Sequence, residues 1–183
     1  MSDKVFPPSA TASKNAHVAS MEQYREIYNR SINDPEGFWT EQAERLVWAE
    51  KWKILRKWDY DKAEIQWFIG GKLNACYNCV DRHVEDGHGD DTALIWEGND
   101  PDECRTFTYA ELQIDVQRAA NALKDLGIVK GDRVCIYLPM IPELAIAVLA
   151  CARIGAIHSV VFGGFASLAL ATRIQDCSCK IVI

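Results

Sequence analysis

From Gly131 to Ile183 the chain alternates apolar runs of strand length with helix-length segments. Few arrangements other than a parallel sheet with crossover helices accept that alternation, because parallel neighbours need a long return connection that also covers the sheet. Arg133 to Leu138 and Ile157 to Phe162 read as two such strands, and Lys180 to Ile183 as the beginning of a third. Between them Pro142 opens a helix to about Ile154, apolar at every position from Leu144 to Ala152 and so expected to be buried on most sides. It is shorter than the roughly 20 apolar residues needed to span a bilayer. Ala166 to Gln175 is the next helix. A strand that stopped at Ile183 would set an ionised carboxylate near the edge of a covered sheet, so the expectation is a chain that ends partway through a larger domain.

Upstream, Thr92 to Glu97 reads as a strand closed by the turn Gly98-Asn-Asp-Pro101, and the next helix has a well-specified start. Thr108 can cap it, Glu111 can complete a capping box, and Phe107 can staple to Leu112. Leu112, Val116, Ala119, Leu123 and Leu126 form its apolar stripe, and Gly127 its stop. Residues 1–19 carry no apolar period and are expected to form a mobile leader or extended arm. The pattern then reads as helical from Met21 to Trp58, with a start signal at Asn33-Asp34-Pro35. After a strand-like run at Ile65 to Ile69 and the break Gly70-Gly71, Leu73 to Val84 again reads as helix. Trp39, Trp48, Trp52 and Trp58 lie in the Met21–Trp58 region, where such rings are expected to cover a neighbouring domain rather than bind a base or sugar.

Composition removes several function classes. A net charge of -6 argues against nucleic acid as a partner, since phosphate binding needs a basic surface. No basic-then-apolar leader marks secretion. Seven cysteines, odd in number and scattered through apolar segments, point to reduced thiols and a cytoplasmic location rather than a disulfide framework. Cys76-x-x-Cys79 and Cys177-x-Cys179 lack the partners of a closed zinc site and read as ordinary thiols. His83 and His88, among Asp86, Asp90 and Asp91, read as a solvated loop turned by Gly87 and Gly89. No nucleophile elbow, Ser/His/Asp order, metal site or Walker-type loop is present, so no catalytic residue is assigned. The segment His158-Ser-Val-Val-Phe-Gly-Gly-Phe165 is the most informative. It ends a parallel strand with two glycines, at the sheet end where open α/β sheets hold ligands.

Trp67-Phe-Ile-Gly-Gly-Lys-Leu-Asn74, Tyr77-Asn-Cys-Val-Asp-Arg-His83, Ile95-Trp-Glu-Gly98, Thr108-Tyr-Ala-Glu-Leu112, Gly131-Asp-Arg-Val134, Tyr137-Leu-Pro-Met-Ile-Pro-Glu-Leu144, Ala150-Cys-Ala-Arg-Ile-Gly-Ala156 and the His158–Phe165 segment occur in one order. In these blocks the chain resembles the N-terminal portion of the AMP-forming acetyl-CoA synthetases, within the adenylate-forming acyl-CoA ligases. The resemblance runs from about Tyr24 to Ile183. It implies an α/β fold: a leader (1–19), a helical N-terminal extension (20–84), and the first part of a layered adenylate-forming domain with a parallel βαβαβ sheet (85–183). It implies a parent enzyme that uses ATP, Mg2+, acetate and CoA, forming acetyl-adenylate and then acetyl-CoA. Phe162, Gly163 and Gly164 match a stretch lining the CoA site. The phosphate loop, acetate pocket and catalytic lysine of the family are not matched here, so the isolated chain is expected to be inactive and to need the rest of its polypeptide. Ala166 stands where the family more often has Ser, which alters the cap of the following helix. A free-standing CoA or nucleotide module, a propionyl-CoA synthetase fragment and a scaffold presenting the Trp-rich helices are the alternatives.

Overall fold

A computed structural model describes residues 6–100 and 102–183, and the chain divides into two compact units, Met1–Gly71 and Lys72–Ile183.

In the first unit, α1 (Ala10–Asn15) is capped by Ser9 and buries no residue. The leader expected over 1–19 therefore contains a short exposed helix; its first five residues lie outside the described ones. Helix α2 (Met21–Asn33) is capped by Ser20, and α3 (Pro35–Ala43) begins where expected, with the Asp34 carboxylate accepting from Gly37 N. Beyond α3 the helical reading fails, because Ile54–Asp59 (β1) pairs antiparallel with Glu64–Ile69 (β2). Ile54, Leu55 and Trp58 have helical spacing, but only Leu55 is buried in β1, so one inward position rather than a stripe settles the segment. Several aromatic rings of this unit pack against one another. Phe68 lies 5.3 Å from both Trp48 and Trp52, while Trp39 meets Trp67 edge-on at 5.9 Å. Trp48 is fixed by its indole N–H donating to Ala43 O. A methyl group on Gly71 would lie 2.7 Å from the Trp48 ring, so that position has room for glycine alone.

In the second unit, residues 75–88 are helical but underwound into π turns at Tyr77–Asp81 and Val84–His88. The solvated loop expected at His83–Asp91 is therefore mostly helix, with its break at Gly87 (φ 89°). The hairpin Thr92–Glu97 (β3) and Cys104–Thr108 (β4) follows. Only β3 carries a readable strand signal; β4 lies hidden in the approach to the helix cap. Helix α4 (Tyr109–Asp125) has the full capping box at Thr108 and Glu111. Its buried stripe is Leu112, Val116, Ala120 and Leu123; Leu126 is exposed, because the helix ends there and Ile128 takes the inward place.

The sheet is parallel, in the order β6 (Ile157–Val160), β5 (Arg133–Ile136), β7 (Ile181–Val182). Helices α5 (Pro142–Ile154) and α6 (Ser167–Cys177) make the crossovers. Val134 and Ile136 turn toward α4 and α5 in the main core, and Cys135, on the opposite face of β5, turns toward the end of α6. α6 begins at Ala166 without a side-chain cap.

Three helices end alike. After α4, Gly127 N donates to Lys124 O and Ile128 N to Leu123 O; after α5, Gly155 N donates to Ala152 O and Ala156 N to Cys151 O. After α6, Ser178 N donates to Gln175 O and Cys179 N to Ile174 O. Each is a Schellman closure, which requires a left-handed residue. The first two use glycine, and the third uses Ser178 at φ 49°, ψ 52°. No helix among the described residues is long and apolar enough to cross a membrane.

Candidate functional site

The strand order marks where an open α/β sheet would hold a ligand. From β5 the chain crosses to β6 on one side and then returns past β5 to β7 on the other, so the connections diverge at β5. Tyr137, Val161 and Ile183 stand at the carboxyl ends of the strands. Val161 N donates to Ile136 O at 2.8 Å and Tyr137 N to Ile183 O at 2.7 Å, carrying the ladder one residue past each strand.

The predicted turn leaves β6 at this end. Val161 is fully buried, Phe162 is 62% exposed, and Phe165 N donates back to Phe162 O, closing Gly163 and Gly164 into a tight turn. At Gly163 the constraint is crowding rather than backbone conformation. A methyl group there would lie 3.3 Å from the carbonyl carbon and oxygen of Leu138 and from Pro139 N, all backbone atoms that cannot swing aside. At Gly164 the nearest obstacle is the Phe162 ring at 3.1 Å, a side chain that can rotate.

Three residues that sequence reasoning missed complete the arrangement. The Tyr137 hydroxyl is shared between Gly163 O (3.1 Å) and Phe165 O (3.0 Å), latching the turn to the strand beside it. Arg173 on α6 lies 4.7 Å from the Phe165 ring centre, and Phe162 meets Phe165 edge-on at 6.2 Å. The turn therefore offers an exposed aromatic ring, glycine backbone and a guanidinium held over a second ring. A ligand combining an apolar arm with negative charge suits such a surface. The sequence places Tyr137 inside the expected strand Arg133 to Leu138, so nothing local singles it out; the structure ends β5 at Ile136.

The remaining chemistry-bearing groups lie elsewhere. Asp81 accepts from Arg153 and from Gln113 Nε2, and Asn74 Nδ2 donates to Ala152 O and Arg153 O, so this polar cluster binds the π-turn helix to α4 and α5. Asp132 accepts from Lys180 Nζ and Val129 N, and those bonds hold its carboxyl below the ordinary range. His88 Nδ1 lies 2.8 Å from Asp91 in solvent, and the His83 ring lies over Tyr109. Cys76 is buried and Cys79 exposed, so the C-x-x-C pair faces two environments; burial pushes the Cys76 thiol up. Among the described residues no group of three or more His, Cys, Asp or Glu side chains is placed to hold a metal ion.

Two family patterns match the chain in succession. Residues 24–79 match the pattern described as acetyl-coenzyme A synthetase N-terminus, and residues 80–183 match that described as AMP-binding enzyme. Among curated proteins, the chain is similar to the acetyl-coenzyme A synthetase of Halorhodospira halophila, with 57% identity over 98% of this chain. It is 54% identical to that of Magnetococcus marinus over its whole length, and 52% identical to that of Leptospira biflexa over 99%. The chain spans 28% of the length of each of these relatives.

Proposed function

From the premise that this chain belongs to the AMP-binding enzyme family, joined to the N-terminal region of its acetyl-coenzyme A synthetases, we propose that it forms the N-terminal part of an AMP-forming acetate:CoA ligase. In that reaction ATP and acetate give acetyl-adenylate and pyrophosphate, and the CoA thiol then displaces AMP. The similarity over nearly the full chain to proteins named acetyl-coenzyme A synthetase carries this reading. In it, residues 1–19 are a leader, 20–84 the N-terminal extension and 85–183 the first part of the large domain. The change of family match between residues 79 and 80 supports a boundary in that neighbourhood.

Within this reading Phe162, Gly163 and Gly164 line the path of CoA. Their support is the exposed ring, the closely packed glycine turn and the crevice position at the carboxyl end of β6. Tyr137 holds the turn in place, and water is displaced from Phe162 when an apolar arm lies across it. The nucleotide phosphates and the acyl group are handled by residues outside this stretch, since it has neither a phosphate loop nor a candidate base or nucleophile. Its described residues also offer no fitting metal cluster, so no step through magnesium is assigned to it. The remainder of the polypeptide is the partner that completes the site, and the enzyme works in the cytoplasm.

The test is acetate-dependent exchange between ATP and pyrophosphate. Residues 1–183 alone are expected to show none, and calorimetric titration with CoA is expected to show no submillimolar binding. Exchange by this chain would overturn the assignment of catalysis to other residues, and tight CoA binding would instead point to a self-sufficient binding module.

A further inference from the structure

We propose that Cys177 and Cys179 form a thiol–disulfide exchange site that closes to an intrachain disulfide on reaction with a low-molecular-weight disulfide. The inference does not depend on the ligase reading.

The spacing Cys-x-Cys alone gives no reason to expect this; the geometry at the end of α6 does. The Schellman closure turns the chain back on itself at Ser178, whose left-handed backbone brings the residue after it over the last helical turn. The two sulfurs consequently lie 2.8 Å apart, against about 2.05 Å when bonded. Arg133 fixes this arrangement from β5, its Nε donating to Cys177 O at 2.8 Å and its Nη2 to Ser178 O at 2.9 Å. Lys180 N then donates to Arg133 O, so the turn is clamped on both sides of Cys179. Both cysteines are partly exposed, while the neighbouring Cys135 is fully buried on β5. A small disulfide can therefore reach the pair but not the third thiol.

Burial and the adjacent thiols push Cys179 up to about 12, which leaves the first attack to Cys177. The Cys177 thiolate attacks one sulfur of the disulfide, forming a mixed disulfide and releasing one thiolate. Cys179 then loses its proton to solvent and attacks the Cys177 sulfur, forming the Cys177–Cys179 bond and releasing the second thiolate. Two protein thiols are oxidised, and one external disulfide is reduced to two thiols.

The experiment treats the 183-residue chain with oxidised glutathione, blocks remaining thiols with iodoacetamide and cleaves with trypsin. Cleavage after Arg173 and Lys180 isolates both cysteines in Ile174–Lys180. The expected product is that peptide lighter by two hydrogen atoms, carrying neither label nor glutathione. Cys179→Ser is expected to stop at a glutathione adduct on Cys177, and Cys135→Ser to leave loop formation unchanged. The proposal is overturned if Ile174–Lys180 stays fully alkylated while Cys79 or Cys104 takes glutathione, if it accumulates the adduct without closing, or if Cys135 is found bonded to either cysteine.

Discussion

Arg153 reaches both carboxylate oxygens of Asp81 through a single nitrogen, at 2.7 Å to each, with 23% of one side chain and 10% of the other exposed. Removing one partner of so sheltered a pair leaves a charge without a counterion, and removing Asp81 also deprives Gln113 Nε2 of its acceptor. Arg153→Leu is expected to cost about 3–5 kcal/mol, read as a lower urea midpoint. The double variant Asp81→Leu/Arg153→Leu is expected to lose less than the sum of the two single changes. Additive losses would show that the two residues act independently.

Asp132 contributes to the acid limb of stability. Its hydrogen bond from Lys180 and that from Val129 N depress its folded pKa below the unfolded value. The stabilisation is therefore complete above the ordinary carboxylate range and disappears as pH falls through the folded pKa. Unfolding midpoints measured from pH 7 downward are expected to fall less steeply for Asp132→Asn than for the unchanged chain. Parallel curves would remove Asp132 from the account.

Gly71→Ala is expected to destabilise the first unit by about 1–3 kcal/mol, because the new methyl meets the Trp48 ring and the Phe68 carbonyl oxygen together. Near-ultraviolet circular dichroism reports it directly, since displacing Trp48 disturbs its contacts with Trp52 and Phe68. An unchanged aromatic spectrum would show that the ring has room to move.

Ser178→Gly is expected to stabilise the second unit by up to about 1 kcal/mol, since glycine adopts the left-handed conformation without the clash that Ser178 bears at φ 49°. Thermal unfolding checks this. The same change at an unstrained position would be destabilising, so the sign of the shift is the informative quantity.

Tyr137→Phe removes the hydroxyl shared by Gly163 O and Phe165 O, at an expected cost of about 0.5–1.5 kcal/mol. The loss is local, so hydrogen exchange is expected to accelerate at the Gly163–Phe165 turn while α4 and α5 keep their protection. Uniform acceleration across the second unit would contradict a latch confined to the turn.

How far these features were visible in advance follows from the range of the interactions that make them. Thr108 and Glu111 announce α4 because a cap is written within four residues, and Pro142 with Gly155 brackets α5 for the same reason. The parallel sheet was legible because its apolar runs are separated by helices with their own start and stop signals. β1 was not, since its spacing of apolar residues fits a helix equally well and only pairing with Glu64–Ile69 decides it. At the candidate site the Gly163-Gly164 turn could be read from adjacent residues. The latch from Tyr137 and the cation of Arg173 could not, because one stands 26 residues before Gly163 and the other is brought over Phe165 only by the winding of α6. The Cys177–Cys179 approach was hidden because it rests on a left-handed serine, where only glycine would have advertised the turn.

β5 is the first strand of the sheet in the sequence and also its middle. During synthesis at about 5–20 residues per second, its two ladders stand open until the ribosome has delivered first Ile157–Val160 and then Ile181–Val182. Where pairing keeps pace with synthesis, assembly proceeds outward from one early template, one flank at a time, with Val134 and Ile136 packed in the main core and Cys135 on the face that α6 completes. For some seconds of every production cycle the nascent chain exposes an unsatisfied edge on a half-covered strand. That interval is where cellular folding assistance would have the most to do.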